Sequence, residues 1–127
     1  MDNNKNKKKI LIIDDEADFA KLVKWNLEST EGYEVKIESK GAQGLAAAKQ
    51  FQPDLILLDI MMPDMEGSAV AHQIVTNKET SGIPIVFLTA IIEREEMGGK
   101  TVIGGHPFLI KPVGTDELIG CIKKYIR

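Results

Sequence analysis

Four places in the chain set a chemically capable side chain directly behind an apolar run. Asp14, Asp15 and Glu16 follow residues 10–13, and Asp59 follows residues 55–58. Thr89 and Ala90 follow residues 85–88, and Lys111 and Pro112 follow residues 108–110. Carboxylates drawn into one small region resist ionising together unless positive charge stands between them. An all-oxygen donor set with no histidine or cysteine nearby suits a hard cation, and a few carboxylates plus water suit Mg²⁺. Lys111 would add a second positive charge and Thr89 a hydroxyl donor. Together these groups could hold a dianionic phosphoryl group, with metal on one side and ammonium on another. A carboxylate attacking phosphorus meets charge repulsion, which such a metal and lysine offset. Asp59 is then the natural nucleophile, because an aspartyl side chain can carry a phosphoryl group as an acyl phosphate.

For these groups to meet, the elements that carry them must be neighbours. The runs over 10–13, 55–58 and 85–88 are unbroken, as suits strands buried on both faces of a parallel sheet. The Val-Lys-Ile of 35–37 reads as an edge strand, and 83–88 and 108–110 complete the set. Between them lie helical segments. Residues 16–30 carry Phe19, Leu22, Val23 and Leu27 on one stripe, and 42–51 carry Leu45, Ala48 and Phe51 before Pro53. Residues 68–77 present Val70, Ala71, Ile74 and Val75, and 115–125 present Leu118, Ile119, Ile122 and Tyr125. A weaker fourth segment spans 93–103, where Gly98 and Gly99 each cost about 1 kcal/mol against alanine. Strand–helix alternation of this kind predicts an α/β fold, a parallel sheet with helices on both faces. It forms one domain over residues 9–127, behind a disordered basic tail of residues 1–8. Ligands of such sheets bind outside the carboxyl ends of the strands, the rim on which all four motifs fall.

Composition narrows the classes further. At 127 residues, 43% apolar and 28% charged, the chain has the size and make-up of one ordinary globular domain. The single cysteine, Cys121, excludes a disulfide framework and a cysteine zinc site, and fits a reducing, cytoplasmic setting. No apolar run approaches the roughly 20 residues of a membrane span, and residues 1–9 lack the pattern of a secretory signal. Lys5, Lys7, Lys8, Lys9 and Asp2 fall in that opening stretch, leaving 12 basic and 18 acidic side chains beyond it. So acidic a body is poorly suited to direct contact with nucleic acid.

The runs Ile-Leu-Ile-Ile-Asp14-Asp15-Glu16, Asp54-Leu-Ile-Leu-Leu-Asp59-Ile-Met-Met-Pro63-Asp-Met-Glu-Gly67, Phe-Leu-Thr89-Ala90 and Lys111-Pro112 resemble, in order and spacing, the receiver domain of two-component response regulators. The resemblance covers about residues 9–126. It implies a flavodoxin-like (βα)5 three-layer sandwich whose five parallel strands run in the order 2-1-3-4-5. It further implies that Asp59 accepts a phosphoryl group from a sensor histidine kinase or phosphotransfer protein, with Mg²⁺ as cofactor. Asp15 and Asp59 would bind the metal directly and Asp14 largely through water, the Met61 carbonyl completing the protein ligands. Thr89, the Ala90 N–H and Lys111 would hold phosphoryl oxygens. A cis Lys111–Pro112 bond would aim the lysine inward, and Pro63 and Gly67 would shape the loop after the nucleophile. Phe108 stands where the family has a switch aromatic, without the hydroxyl of tyrosine. The signal would leave through the face of the fourth helical segment, fifth strand and fifth helical segment, towards an output protein or a phosphorylation-dependent homodimer. No direct contact with nucleic acid or membrane is implied. Such a stand-alone domain assists its own phosphorylation and dephosphorylation and is not otherwise an enzyme.

Met61 and Ile91 are apolar at positions that influence attack by water in this family, so slow self-dephosphorylation is expected. Gly98, Gly99, Gly104 and Gly105 mark either an easily remodelled face or a frayed helix. Trp25 falls off its helical stripe and is expected to face solvent; Cys121 is expected to be a buried thiol, and His72 and His106 ordinary surface or half-buried histidines. Two other classes share parts of the pattern. A phosphohydrolase of the haloacid-dehalogenase type would carry Asp-x-Asp at the nucleophile, where position 61 is Met, and needs a larger frame. A flavin carrier of the same fold needs hydroxyls and amides in its first loop, where Asp14-Asp15-Glu16 would repel phosphate.

Overall fold

Strands whose every side chain is apolar need cover on both sides, and that requirement organises the molecule. A computed structural model describes residues 7–90, 102–103 and 105–126. In it, β1 (Lys9–Ile13), β3 (Leu55–Asp59) and β4 (Ile85–Thr89) form the middle of one sheet. Strand β2 (Glu34–Glu38) pairs with β1 as an outer strand, and β6 (His106–Ile110) pairs with β4. These five strands are all parallel, in the spatial order β2-β1-β3-β4-β6. This is the flavodoxin-like arrangement expected from the sequence, with β6 as the fifth parallel strand.

Alternate side chains along each strand point to opposite faces, so the core divides in two. Ile10, Ile12, Leu55, Leu57, Val86 and Leu88 meet α1 (Ala17–Glu31) through Ala20, Val23 and Leu27, and α4 (Thr115–Tyr125) through Leu118 and Ile122. Leu11, Ile13, Ile56, Leu58, Ile85 and Phe87 meet α2 (Gly44–Phe51) and α3 (Gly67–Thr76) through Ala47, Ala48, Val70, Ala71 and Ile74. Helix α1 ends at Gly32, whose left-handed backbone (φ 70°) returns its N–H to the Leu27 carbonyl.

Four expectations need correction. Leu22 is 59% exposed, because α1 lays a narrow stripe of Ala20, Val23 and Leu27 on the sheet and the neighbouring position falls on its flank. Val75 lies at the rim of α3 rather than in its stripe. The start of the second helical segment is a 3-10 turn, Gly41–Gln43, ahead of α2. Finally, the end of the expected 93–103 helix is instead a two-residue strand, β5 (Val102–Ile103), antiparallel to β6. The rest of that segment lies outside the described residues, as do Ile91, Gly98, Gly99, Gly104 and residues 1–6 of the basic tail.

The 3-10 turn is braced by a residue distant in sequence. The Gly41 and Ala42 N–H groups donate to Asp64 Oδ1 (3.2 Å) and Oδ2 (3.0 Å), in the loop that follows β3. The Ala42 bond above all holds the Asp64 carboxyl below the usual carboxylate range. Asp64→Ala leaves both amides without an acceptor and is expected to lower the Tm by a few degrees, with Asp64→Asn intermediate; thermal unfolding followed by circular dichroism checks this.

Candidate functional site

The carboxyl ends of β1, β3, β4 and β6 converge on one rim. Asp14 follows β1 and is fixed by its N–H donating to the Glu38 carbonyl (3.0 Å). Asp59 is the last residue of β3, and the Ile60 N–H beyond it still bonds the Leu88 carbonyl (2.9 Å). Pairing also runs one residue past β6, where the Lys111 N–H donates to the Thr89 carbonyl (2.7 Å). That extra rung brings Lys111 level with the acidic residues. Asp14, Asp59, Thr89 and Lys111 are all buried, whereas Asp15, Glu16 and Ala90 are exposed.

Ligand oxygens of Asp14, Asp15 and Asp59 lie within 4.8 Å of one another. The Lys111 ammonium sits among the carboxylates, with Nζ 2.7 Å from Asp14 Oδ2, 2.6 Å from Glu16 Oε1 and 3.9 Å from Asp59 Oδ2. Beneath it, the Phe19 ring centroid lies at 4.3 Å. Burial and then the neighbouring Asp14 charge push the Asp59 carboxyl up to about 7, against the pull of Lys111 and of the Met61 N–H (3.3 Å to Oδ1). Burial alone would lower the Lys111 ammonium, but Asp14 and Glu16 at bonding distance outweigh it and raise it.

The donor set fits a hard divalent cation. It is all oxygen, it carries more negative charge than one lysine balances, and Asp14 Oδ2 is buried without a well-directed hydrogen bond despite its ionic contact with Lys111.

The remaining expected residues lie around this core. Met61, whose carbonyl was expected as a ligand, has a side chain 74% exposed, so it reaches into solvent at the rim. Phe108 is half-buried against the second core cluster, next to Phe87 in register. The Lys111–Pro112 bond is cis, and Pro63 and Pro112 are exposed. Gly67 is buried at the start of α3, its N–H donating to the Ile60 carbonyl (2.7 Å). Trp25 is exposed on α1, and His72 on α3. His106 lies edge-on to Phe87, and Cys121 is only half-buried, its thiol pushed up by that burial. The sequence reading missed Glu16 and Phe19 as partners of Lys111. The third acidic residue after β1 was the one visible sign.

A family model described as the response regulator receiver domain matches residues 10–123. The transcriptional regulator RpaA of Synechocystis, a DNA-binding protein, is 35% identical over 119 residues, which cover 94% of this chain and 49% of that protein. The chain thus spans about half the length of the curated relatives it matches. Among solved structures, the chemotaxis protein CheY4 of Vibrio cholerae superposes with a TM-score of 0.82 at 26% identity, covering 94% of this chain and 99% of that one. A CheY-like receiver domain from Methanospirillum hungatei gives 0.78 at 32% identity, covering 93% and 92%. Among the described residues, no helix is long and apolar enough to cross a membrane.

Proposed function

This chain belongs to the response regulator receiver domain family, and from that premise we propose that it is a phosphorylation-controlled switch with Asp59 as phosphoacceptor. The donor is a phosphohistidine of a sensor kinase or phosphotransfer protein. The donor's P–N bond breaks as a P–O bond to the Asp59 carboxylate forms, and the imidazole leaves with the electron pair. One observation supports this most: a buried aspartate at a strand end, flanked by two further carboxylates and a buried lysine.

Asp14, Asp15, Asp59 and the Met61 carbonyl would hold Mg²⁺, which when bound supplies positive charge to offset the repulsion between nucleophile and phosphoryl group. Lys111 carries the second positive charge, and its hydrogen bonds turn to a phosphoryl oxygen. Thr89 and the Ala90 N–H lie at the end of β4, where they hold further oxygens and report the modification to Phe108 on the next strand. The signal leaves through β6 and α4, to an output protein or a second copy of the chain, in the cytoplasm. DNA binding by the regulators it resembles is a property of those longer proteins.

The direct test is incubation with Mg²⁺ and acetyl phosphate, followed by intact mass and peptide mapping after reductive trapping. A Mg²⁺-dependent gain of about 80 daltons is expected in the intact chain, and trapping, which reduces the acyl phosphate to an alcohol and releases phosphate, is expected to mark Asp59. No gain, or a reduced residue elsewhere, overturns the assignment.

A further inference from the structure

The lysine of this site is held by a carboxylate that takes no part in the chemistry assigned above. Nζ of Lys111 is 2.6 Å from Glu16 Oε1 and 2.7 Å from Asp14 Oδ2, yet 3.9 Å from Asp59 Oδ2. The ammonium therefore sits on the β1 side of the rim, over the Phe19 ring, and not against the nucleophile. The two carboxylates that hold it differ in freedom. Asp14 is wholly buried, with Oδ1 fixed by the Glu16 N–H at 2.9 Å. The Glu16 side chain is 55% exposed, so it can swing into water at little cost while Asp14 cannot.

We infer that Glu16 is a releasable latch: it positions Lys111 away from Asp59 in the unmodified protein and must let go before the ammonium can bond a phosphoryl oxygen. Glu16 is a positioning residue acting through Lys111. Ion pairs with one exposed partner are weak enough to be broken in a switching step and strong enough to bias it. The latch opposes phosphorylation: while Glu16 holds the ammonium, the charge that should meet the incoming phosphoryl group is engaged elsewhere. An acidic residue at this position thus tunes the threshold at which the domain responds to its donor.

This inference rests on the phosphoacceptor reading, and the experiment separates the two. Acetyl phosphate and Mg²⁺ are applied to wild type, Glu16→Gln, Lys111→Met and the double variant, and the rate of adduct formation is read by intact mass. Absence of an adduct on wild type overturns the phosphoacceptor reading itself. Given an adduct, Glu16→Gln is expected to accelerate its formation roughly two- to fivefold, and to do nothing further in the Lys111→Met background. No acceleration, or an equal acceleration in both backgrounds, overturns the latch, because Glu16 would then act only through the general field of the site. A second measurement does not depend on Lys111→Met folding. In the ¹⁵N-labelled wild type the Lys111 ammonium, protected by two carboxylates, should give its own cross-peak. Glu16→Gln is expected to shift it or broaden it away, and an unchanged peak overturns the latch.

Discussion

Replacing Asp59 with asparagine is expected to abolish the phosphoryl adduct and at the same time to stabilise the fold at neutral pH. The first effect follows because the amide oxygen is no nucleophile towards phosphorus at this pH. The second follows from burial. In the folded chain the Asp59 carboxyl is pushed up to about 7, by burial first and the Asp14 charge second, from an ordinary value of 3.8. A carboxyl raised in the folded state binds its proton more tightly there than in the unfolded chain. Its stabilising contribution is complete below about pH 4 and is lost as the pH rises to about 7. The ionised aspartate therefore weakens the fold at pH 8 by about 1–3 kcal/mol relative to the uncharged side chain. Urea unfolding of wild type and Asp59→Asn between pH 4 and 8, without divalent cations, gives the difference in stability directly. That difference should widen in favour of the variant through this window. Adding Mg²⁺ should close it by stabilising wild type selectively. A difference independent of pH would remove the electrostatic account of the site.

The second large effect is at Gly67. A Cβ built there would run into the Asp59 carbonyl oxygen and lie 2.7 Å from Ile60 Cα. Both obstacles are backbone, so no side-chain rotation relieves them. Gly67 also donates its N–H to the Ile60 carbonyl at 2.7 Å, so α3 and the end of β3 cannot separate without losing that bond. Gly67→Ala is expected to cost roughly 3 kcal/mol. In the fraction that folds, displacement of Asp59 should slow phosphorylation by about tenfold or more. Gly82→Ala is the matched control, since nothing lies within 4 Å of a Cβ there and no positive φ is required. Urea midpoints and adduct rates for both variants check the pair, and equal behaviour would mean that the close approach at Gly67 is not a constraint.

The central sheet was legible because residues 10–13, 55–58 and 85–88, within β1, β3 and β4, are apolar at every position, a pattern that suits a strand covered on both faces. The rim was legible for the same reason: polar residues end such runs abruptly, and the ends of neighbouring parallel strands lie side by side. What escaped was long-range or one-sided. Glu16 reaches a lysine 95 positions away, and Asp64 caps a turn 22 and 23 positions earlier. No local spacing announces either pairing. Leu22 was placed in the core because helical periodicity tolerates a broad stripe, whereas a helix lying on a sheet buries a narrow one. Strand β5 is only two residues long, too short for any periodicity to register, and it exists through pairing with Pro107 and His106.

The register of β1 against β3 carries a further consequence. Ile10 to Ile13 stand opposite Leu55 to Leu58. A slip by one residue would exchange the side chains between the two faces, but both faces are greasy, so oil-like cohesion is nearly blind to the error. The charged ends are not. At the foot of the pair, the Lys9 N–H bonds Asp54 Oδ2 at 2.8 Å and the Asp54 N–H returns to the Lys9 carbonyl at 2.7 Å. At the top, Asp14 and Asp59 mark where each strand must stop. A shifted pairing would drag a carboxylate into the apolar layer at one end or strand an amide at the other. The acidic residues that make the chemistry are therefore also the ruler by which the sheet measures itself.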